Sequence, residues 1–306
     1  MKERLTSENG RLLLGGKDFF LVSGDLHYFR VHPADWGKRL ALMKDFGLTA
    51  VQTYCPWNLH EPKRGEFDFE GLLDLGRFID EAAERGLKVL LRPAPFICSE
   101  CAFGGMPAWL LGPRDLALRS LDPRFIEPLE EYYRKLAEII VPRLSTNGGP
   151  VIAVALENEY GGISHDLPYL EKLAEILKNV GVDVPFYTTD GNVPSWIRNG
   201  TTAECIMEGQ NYRAKPGDAA IAKKYHDELQ PDRPFFVGEL WAGRAIYWDE
   251  PFSFRDPRET AEAFREALEL GAYVNFYMFA GGTNFGSFSG AIVGKSYTPR
   301  PDAPTR

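Results

Sequence analysis

Long apolar runs are what this chain of 306 residues most plainly lacks. A membrane-spanning helix needs about 18 or more uninterrupted apolar residues, and no stretch approaches that length. Residues 1–10 are charged and polar where an export signal would carry an apolar core. The expectation is a soluble chain that works in the cytoplasm. Basic blocks are missing too: the formal net charge is −8, with acids and bases interspersed. Neither nucleic acid nor a membrane surface is an expected partner, whereas a neutral substrate is compatible with this balance. Cysteine is scarce, and Cys55, Cys98, Cys101 and Cys205 read as reduced thiols. Cys98 and Cys101 have Cys-x-x-Cys spacing, but a structural zinc site needs a second ligand pair and none is present, so no metal and no cofactor is expected.

What is there is apolar content of 44%, with 13% aromatic residues, enough for one large core. A (β/α) barrel of about 250 residues fits that length as a single domain. Residues 11–20 form two short runs around Gly15-Gly16, the signal of a hairpin, placed to cap a barrel floor. Apolar strands then alternate with amphipathic helices, which argues for a parallel sheet. The strands fall at 21–28, 50–57, 88–94, 151–156, 184–189, 204–208, 235–240 and 273–279. Helices start near Asp35 and span 71–85, 125–144, 169–180, 219–229 and 258–270. Eight strands close a (β/α)8 TIM barrel over residues 1–290, followed by an irregular tail over 291–306. No helix follows the eighth strand, so the final helix is expected to be missing and the chain to be a fragment or a trimmed barrel.

The fourth strand is the most informative. Residues 151–156 are apolar without alternation, as in a parallel strand covered on both faces. Glu157, Asn158 and Glu159 follow at its mouth. Two acids after a strand are by default solvated loop residues, but the seventh strand repeats the design and ends in Glu239. Paired carboxylates at strand ends are the equipment for glycosidic bond cleavage, one protonating the leaving oxygen and the other meeting positive charge at the anomeric carbon. Barrel sites lie at the C-terminal ends of the strands, and Tyr54, Glu100, Asn158, Glu159, Glu239 and Tyr277 all fall there.

Several long motifs resemble the β-galactosidases of glycoside hydrolase family 35: QTYCPWNLHEP at 52–62, LRPAPFICSE at 91–100, GGMPAWLL at 104–111, GGPVIAVALENEYG at 148–161 and NFYMFAGGTNFG at 275–286. The resemblance implies a retaining, exo-acting β-galactosidase acting on terminal β-galactosides by double displacement. Glu159 would be the acid/base, Glu239 the nucleophile, and their carboxyls about 5 to 5.5 Å apart. It also implies that Asn158 contacts the sugar 2-hydroxyl and that Glu100 and Tyr54 contact the hydroxyls at carbons 3, 4 and 6. Tyr277 and Arg92 are expected to donate to Glu239, while Trp57 and Trp241 are either apolar platforms for the sugar or, about as often at a barrel mouth, plain packing. The alternatives are an exo-β-glucosaminidase on the same barrel, which neutral Asn158 disfavours, and a silent galactoside-binding barrel. The chain departs from the family pattern at Ala155 (usually Gln), Cys101 (usually Trp), Trp241 (often Tyr) and the segment 295–304. The β-sandwich domains that usually follow are absent from it. A homo-oligomer, or those domains, is the expected cover for barrel surface left bare by a missing eighth helix.

Overall fold

Two glycine turns start the fold. Asn9 and Gly10 both take positive φ, 50° and 75°, the requirement of a tight hairpin turn matched to strand twist. They join β1 (Leu5–Glu8) to β2 (Arg11–Leu14), and Gly15-Gly16 joins β2 to β3 (Lys17–Asp18). The result is a three-stranded antiparallel sheet, one strand more than the expected hairpin. The overlooked signal was the Asn-Gly pair itself. Leu5, Leu12 and Leu14 pack with Ala50, Leu90, Ile152 and Phe236, and the Leu12 amide donates to Tyr273 Oη at 2.9 Å. The sheet thus closes the barrel floor.

The computed structural model describes residues 2–243, 251 and 254–290. Eight parallel strands form a closed barrel: β4 (Val22–Leu26), β5 (Ala50–Tyr54), β6 (Lys88–Arg92), β7 (Val151–Ala155), β8 (Phe186–Gly191), β9 (Cys205–Arg213), β10 (Phe236–Trp241) and β11 (Tyr273–Ala280), with β11 returning to β4. Between them run α1 (Pro33–Asp45), α2 (Trp57–His60), α3 (Leu75–Glu84), α4 (Pro123–Ile140), α5 (Leu167–Asn179), α6 (Pro194–Gly200), α7 (Asp218–Leu229) and α8 (Pro257–Glu269). Both α4 and α8 open on Asp-Pro. Asp122 and Asp256 accept from the second helical amide, while proline fills the first position, where no donor is needed. Among the described residues no helix follows β11, and the tail, including the 295–304 segment, lies outside them.

Strand β9 runs to Arg213, well past the five residues expected. Its second half carries Gln210 and Asn211, polar residues buried in this fold, so apolar pattern alone could not reveal it. Trp57 takes the packing alternative. It is fully buried, stacked on Tyr132 at 5.4 Å and edge-on to Trp109 at 5.6 Å, with its indole N–H on Glu61 Oε2 at 2.6 Å. It is core packing and no sugar platform. Trp57→Ala should therefore lower stability by about 3 to 5 kcal/mol, as for other buried aromatics, measured by urea unfolding. A loss below about 1 kcal/mol would show the residue to be peripheral to the core.

Candidate active site

The last turn of β10 delivers Glu239 to the barrel mouth, where register shifts on both sides of the strand re-aim its side chain. Glu239 Oε1 accepts from Tyr54 Oη at 2.6 Å and from Arg92 Nη1 at 2.9 Å, and Oε2 accepts from Trp241 Nε1 at 2.9 Å. Arg92 is fully buried at the end of β6. Its second terminal nitrogen donates to Thr189 Oγ1 at 2.6 Å and to Asn158 Oδ1, and its guanidinium lies 4.3 Å from the Tyr54 ring centre. One cation therefore ties β6, β8, β10 and the turn after β7. The expected Arg92 contact is present. The expected Tyr277 contact is not: Tyr277 Oη donates to Glu100 Oε2 at 2.9 Å. Trp241, expected as a platform, supplies a donor through its indole edge.

Beneath this layer lies a second polar tier. Asp25 Oδ2 accepts from Gln52 Nε2 at 3.0 Å and Asn275 Nδ2 at 2.6 Å, and that same Asn275 nitrogen donates to the Gly238 carbonyl at 3.0 Å. Burial pushes the Asp25 carboxyl well above the usual range, with the Arg92 charge opposing the shift. The tier fixes the residue next to Glu239 from below. Polar residues within otherwise apolar strands, at Ser23, Asp25, Gln52 and Asn275, were its available signal.

The turn after β7 is held by an ion pair. Glu157 accepts from Arg119 Nε at 3.0 Å and Nη2 at 2.9 Å, and from Tyr169 Oη at 3.0 Å. Only 1% of Glu157 is exposed, so the solvated-loop reading fails for it. A bidentate pair of this kind orients as well as stabilises, and Arg119 Nη2 also donates to the Asn158 carbonyl at 2.7 Å. Nothing in the sequence around Arg119 marked it as a partner. Beyond the clamp, Glu159 adopts a left-handed conformation, φ 47°, at a cost of about 1 to 2 kcal/mol. Its amide donates to the Thr189 carbonyl at 2.9 Å, and Asp190 Oδ1 takes the Gly161 amide at 2.8 Å. Gly161 has to be glycine, because a Cβ there would lie 1.9 Å from the Trp196 carbonyl oxygen.

Glu159 Oε1 accepts from Asn211 Nδ2 at 3.1 Å, and Asn211 is the register neighbour of Glu239 on β9. Burial, and then the negative charge of Glu239, raise the Glu159 pKa to about 7. Asn158 is buried beside it. Glu100 stands across the mouth, in a turn where Cys98, Ser99 and Glu100 have successive φ values of 54°, 50° and 50°. Burial also raises its carboxyl above the usual range. Tyr54 and Tyr277 pack edge-on at 6.3 Å, which links the Glu100 side to the Glu239 side. All seven candidate residues, Tyr54, Glu100, Asn158, Glu159, Glu239, Trp241 and Tyr277, thus meet at one mouth. Sequence reasoning missed Arg119, Thr189, Asp190 and Asn211, whose relevance exists only through their partners.

Residues 11–303 match the family model described as glycosyl hydrolases family 35. The chain belongs to glycoside hydrolase family 35. Over 277 residues this family 35 chain is 41% identical to a protein of Xanthomonas manihotis named beta-galactosidase, covering 90% of this chain and 46% of that one. Over 289 residues it is 40% identical to the beta-galactosidase-1-like protein of Mus musculus, with 93% and 44% covered. It thus spans about half the length of these curated relatives. The solved exo-beta-1,4-mannosidase Op5Man5 from Opitutaceae bacterium strain TAV5 shares the fold, with a TM-score of 0.67 at 17% identity over 90% of this chain and 55% of that one.

The raised Glu159 pKa has a signed consequence for stability. Its folded-state pKa of about 7 exceeds the ordinary 4.5, so the folded protein binds this proton more tightly than the unfolded chain does. Charging Glu159 therefore costs stability progressively between those values, fully above about pH 7, and not at all where both states are protonated. Glu159→Gln, which keeps an acceptor for Asn211, should raise the melting temperature at pH 8 and leave it unchanged near pH 4. An equal shift at both pH values would contradict the assignment.

Proposed function

We propose that this protein is a retaining β-galactosidase that removes terminal, non-reducing β-D-galactose. The observation that carries the reading is the pairing of a carboxyl whose pKa is raised to about 7, Glu159, with a second carboxylate, Glu239, held by Arg92, Tyr54 and Trp241. Environments that differ this way separate an acid from a nucleophile. The names of the relatives support galactose as the sugar. A cytoplasmic setting belongs to the same reading, supported by four cysteines that are all free.

In the first step Glu239 attacks the anomeric carbon while the Glu159 proton passes to the departing glycosidic oxygen, leaving a covalent glycosyl ester on Glu239. In the second, Glu159, now a carboxylate, takes a proton from water, whose oxygen displaces Glu239. Two displacements return the β configuration, and carboxyls about 5 to 5.5 Å apart suit this route. Asn158, with its carbonyl oxygen fixed by Arg92, directs its amide to the sugar 2-hydroxyl, a bond that strengthens as the oxocarbenium forms. Glu100 reads the hydroxyls in which galactose differs from glucose. Tyr54 is already committed to Glu239, so its contribution to sugar contact is through orienting that carboxylate.

Turnover of an aryl β-galactoside, followed by NMR, should release β-galactose first. The α anomer as first product, or no turnover, would sink the proposal. Glu239→Gln should abolish hydrolysis of every substrate, whereas Glu159→Gln should spare substrates with activated leaving groups and be accelerated by azide. Azide rescue confined to Glu239→Gln would exchange the roles.

The acid form of Glu159 is required to start the cycle, so kcat/KM on a poorly activated galactoside should fall as pH rises through about 7. That limb should be lost in Glu159→Gln. Its persistence in the variant would place the titrating group elsewhere.

A further inference from the structure

We infer that Arg30 is a positioning residue that sets which sugar epimer the site prefers, by locking the turn that carries Glu100. The inference rests on the reading of Glu100 as a hydroxyl contact. Arg30 touches neither Glu159 nor Glu239. Its relevance comes from a complete accounting of its donors. A guanidinium has five N–H groups and no acceptor, and each of the five has a partner. Nε donates to Asn284 Oδ1 at 2.7 Å, Nη1 to His27 Nδ1 and to Ser99 Oγ at 2.7 Å each, and Nη2 to the Ser99 carbonyl and to Cys101 Sγ, the latter at 3.6 Å.

Three of those five bonds fall on the turn that holds Glu100. Cys98, Ser99 and Glu100 are consecutive left-handed residues with side chains, a conformation that persists only when its surroundings over-determine it. Arg30 donates to both the hydroxyl and the carbonyl of Ser99, the central residue, and so fixes the peptide that leads into Glu100. The Glu100 carboxyl is left to face Tyr277, and its carbonyl accepts the Gly290 amide at 2.8 Å.

The clamp itself is anchored. Arg30 lies in a short helical turn, Tyr28–Arg30, directly after β4, and is 5% exposed. Its carbonyl accepts the Thr283 amide at 2.8 Å. Because a guanidinium only donates, His27 Nδ1 is the acceptor, and the proton of the neutral imidazole sits on Nε2, which faces Asp25 Oδ1 at 3.6 Å. Burial, then the Arg30 and Arg92 charges, hold His27 well below its ordinary pKa, consistent with that neutral form. His27 thus lies between the clamp and Asp25, a member of the polar tier beneath Glu239. Lysine could not replace Arg30, since its three donors radiate from one nitrogen and cannot span Asn284, His27 and Ser99.

The test compares kcat/KM on aryl β-galactoside, β-glucoside and β-mannoside for the wild type, Arg30→Lys, Arg30→Ala and Ser99→Ala. In both Arg30 variants the ratio between the preferred sugar and the other two should narrow at least about tenfold, because a site built to bond a hydroxyl loses discrimination when its reader moves. The change should lie mainly in KM for the preferred sugar. Added guanidinium ion, well below denaturing concentration, should restore the ratio in Arg30→Ala. Ser99→Ala should narrow it about threefold, as for one lost hydrogen bond, and decides the matter if the Arg30 variants do not fold. Parallel loss on all three sugars with an unchanged ratio overturns the inference, as does a wild type without epimer preference. A wild type that prefers glucoside or mannoside defeats the galactose assignment, while the same narrowing is still required of Arg30.

Discussion

The mouth of this barrel depends on one buried cation. Arg92 has no exposed surface, and an isolated charge in that position would be prohibitively unfavourable. Glu239 supplies the opposite charge, Thr189 and Asn158 supply acceptors, and the Tyr54 ring lies against the guanidinium plane. Removing one partner from such a pair costs about 3 to 5 kcal/mol, because the other is left uncompensated. The spatial consequence matters more than the energy. Arg92 contacts one catalytic candidate, Glu239, and the residue preceding the other, Asn158, so one rigid fork holds both sides of the site.

Around that cation the chain tolerates conformations that it avoids elsewhere. Glu159 and the run Cys98–Glu100 have positive φ although none is glycine, and they flank the same opening. Each is pinned from outside: Glu159 by the Thr189 carbonyl and the Glu157–Arg119 clamp, the Glu100 turn by Arg30. Strain at the mouth is balanced by polar networks in the wall, and the wall is stiff because a closed barrel has no free edge. This division explains why Glu157 and Glu159, two positions apart, differ so much. The first is saturated with donors and structural, and the second has, among the described residues, one side-chain hydrogen bond and a titratable proton.

Polar residues behaved differently in the sequence according to whether their partners were local. Asp122 and Asp256 cap their helices through a contact over two residues, a local signal that the expected starts at 125 and 258 passed over. Asn9-Gly10 carried an equally local signal, and reading it would have placed β1. The second half of β9 was invisible because Gln210 and Asn211 break the apolar pattern and find their partners on α7 and across the barrel mouth. Trp57 and Trp241 show the same limit from the apolar side. Their positions after strands were legible, but whether a ring faces sugar, core or a carboxylate depends on what the neighbouring strand presents.

By itself, the sequence determined the eight-stranded order, the single large core, the family, and the fact that Glu159 and Glu239 occupy strand ends on the same face. Periodicity and strand-end position are properties of the chain, and the parallel barrel follows from them because a buried strand has few other ways to satisfy its backbone. Only the tertiary structure decided which acid is clamped and which is free to titrate, and that Tyr54 and Trp241 rather than Tyr277 serve Glu239. It alone showed that Arg30 governs the Glu100 turn. Apart from the local Trp241 contact, those outcomes depend on hydrogen bonds between residues 12 to 185 positions apart, and desolvation and donor geometry at such distances exist only once the barrel has closed.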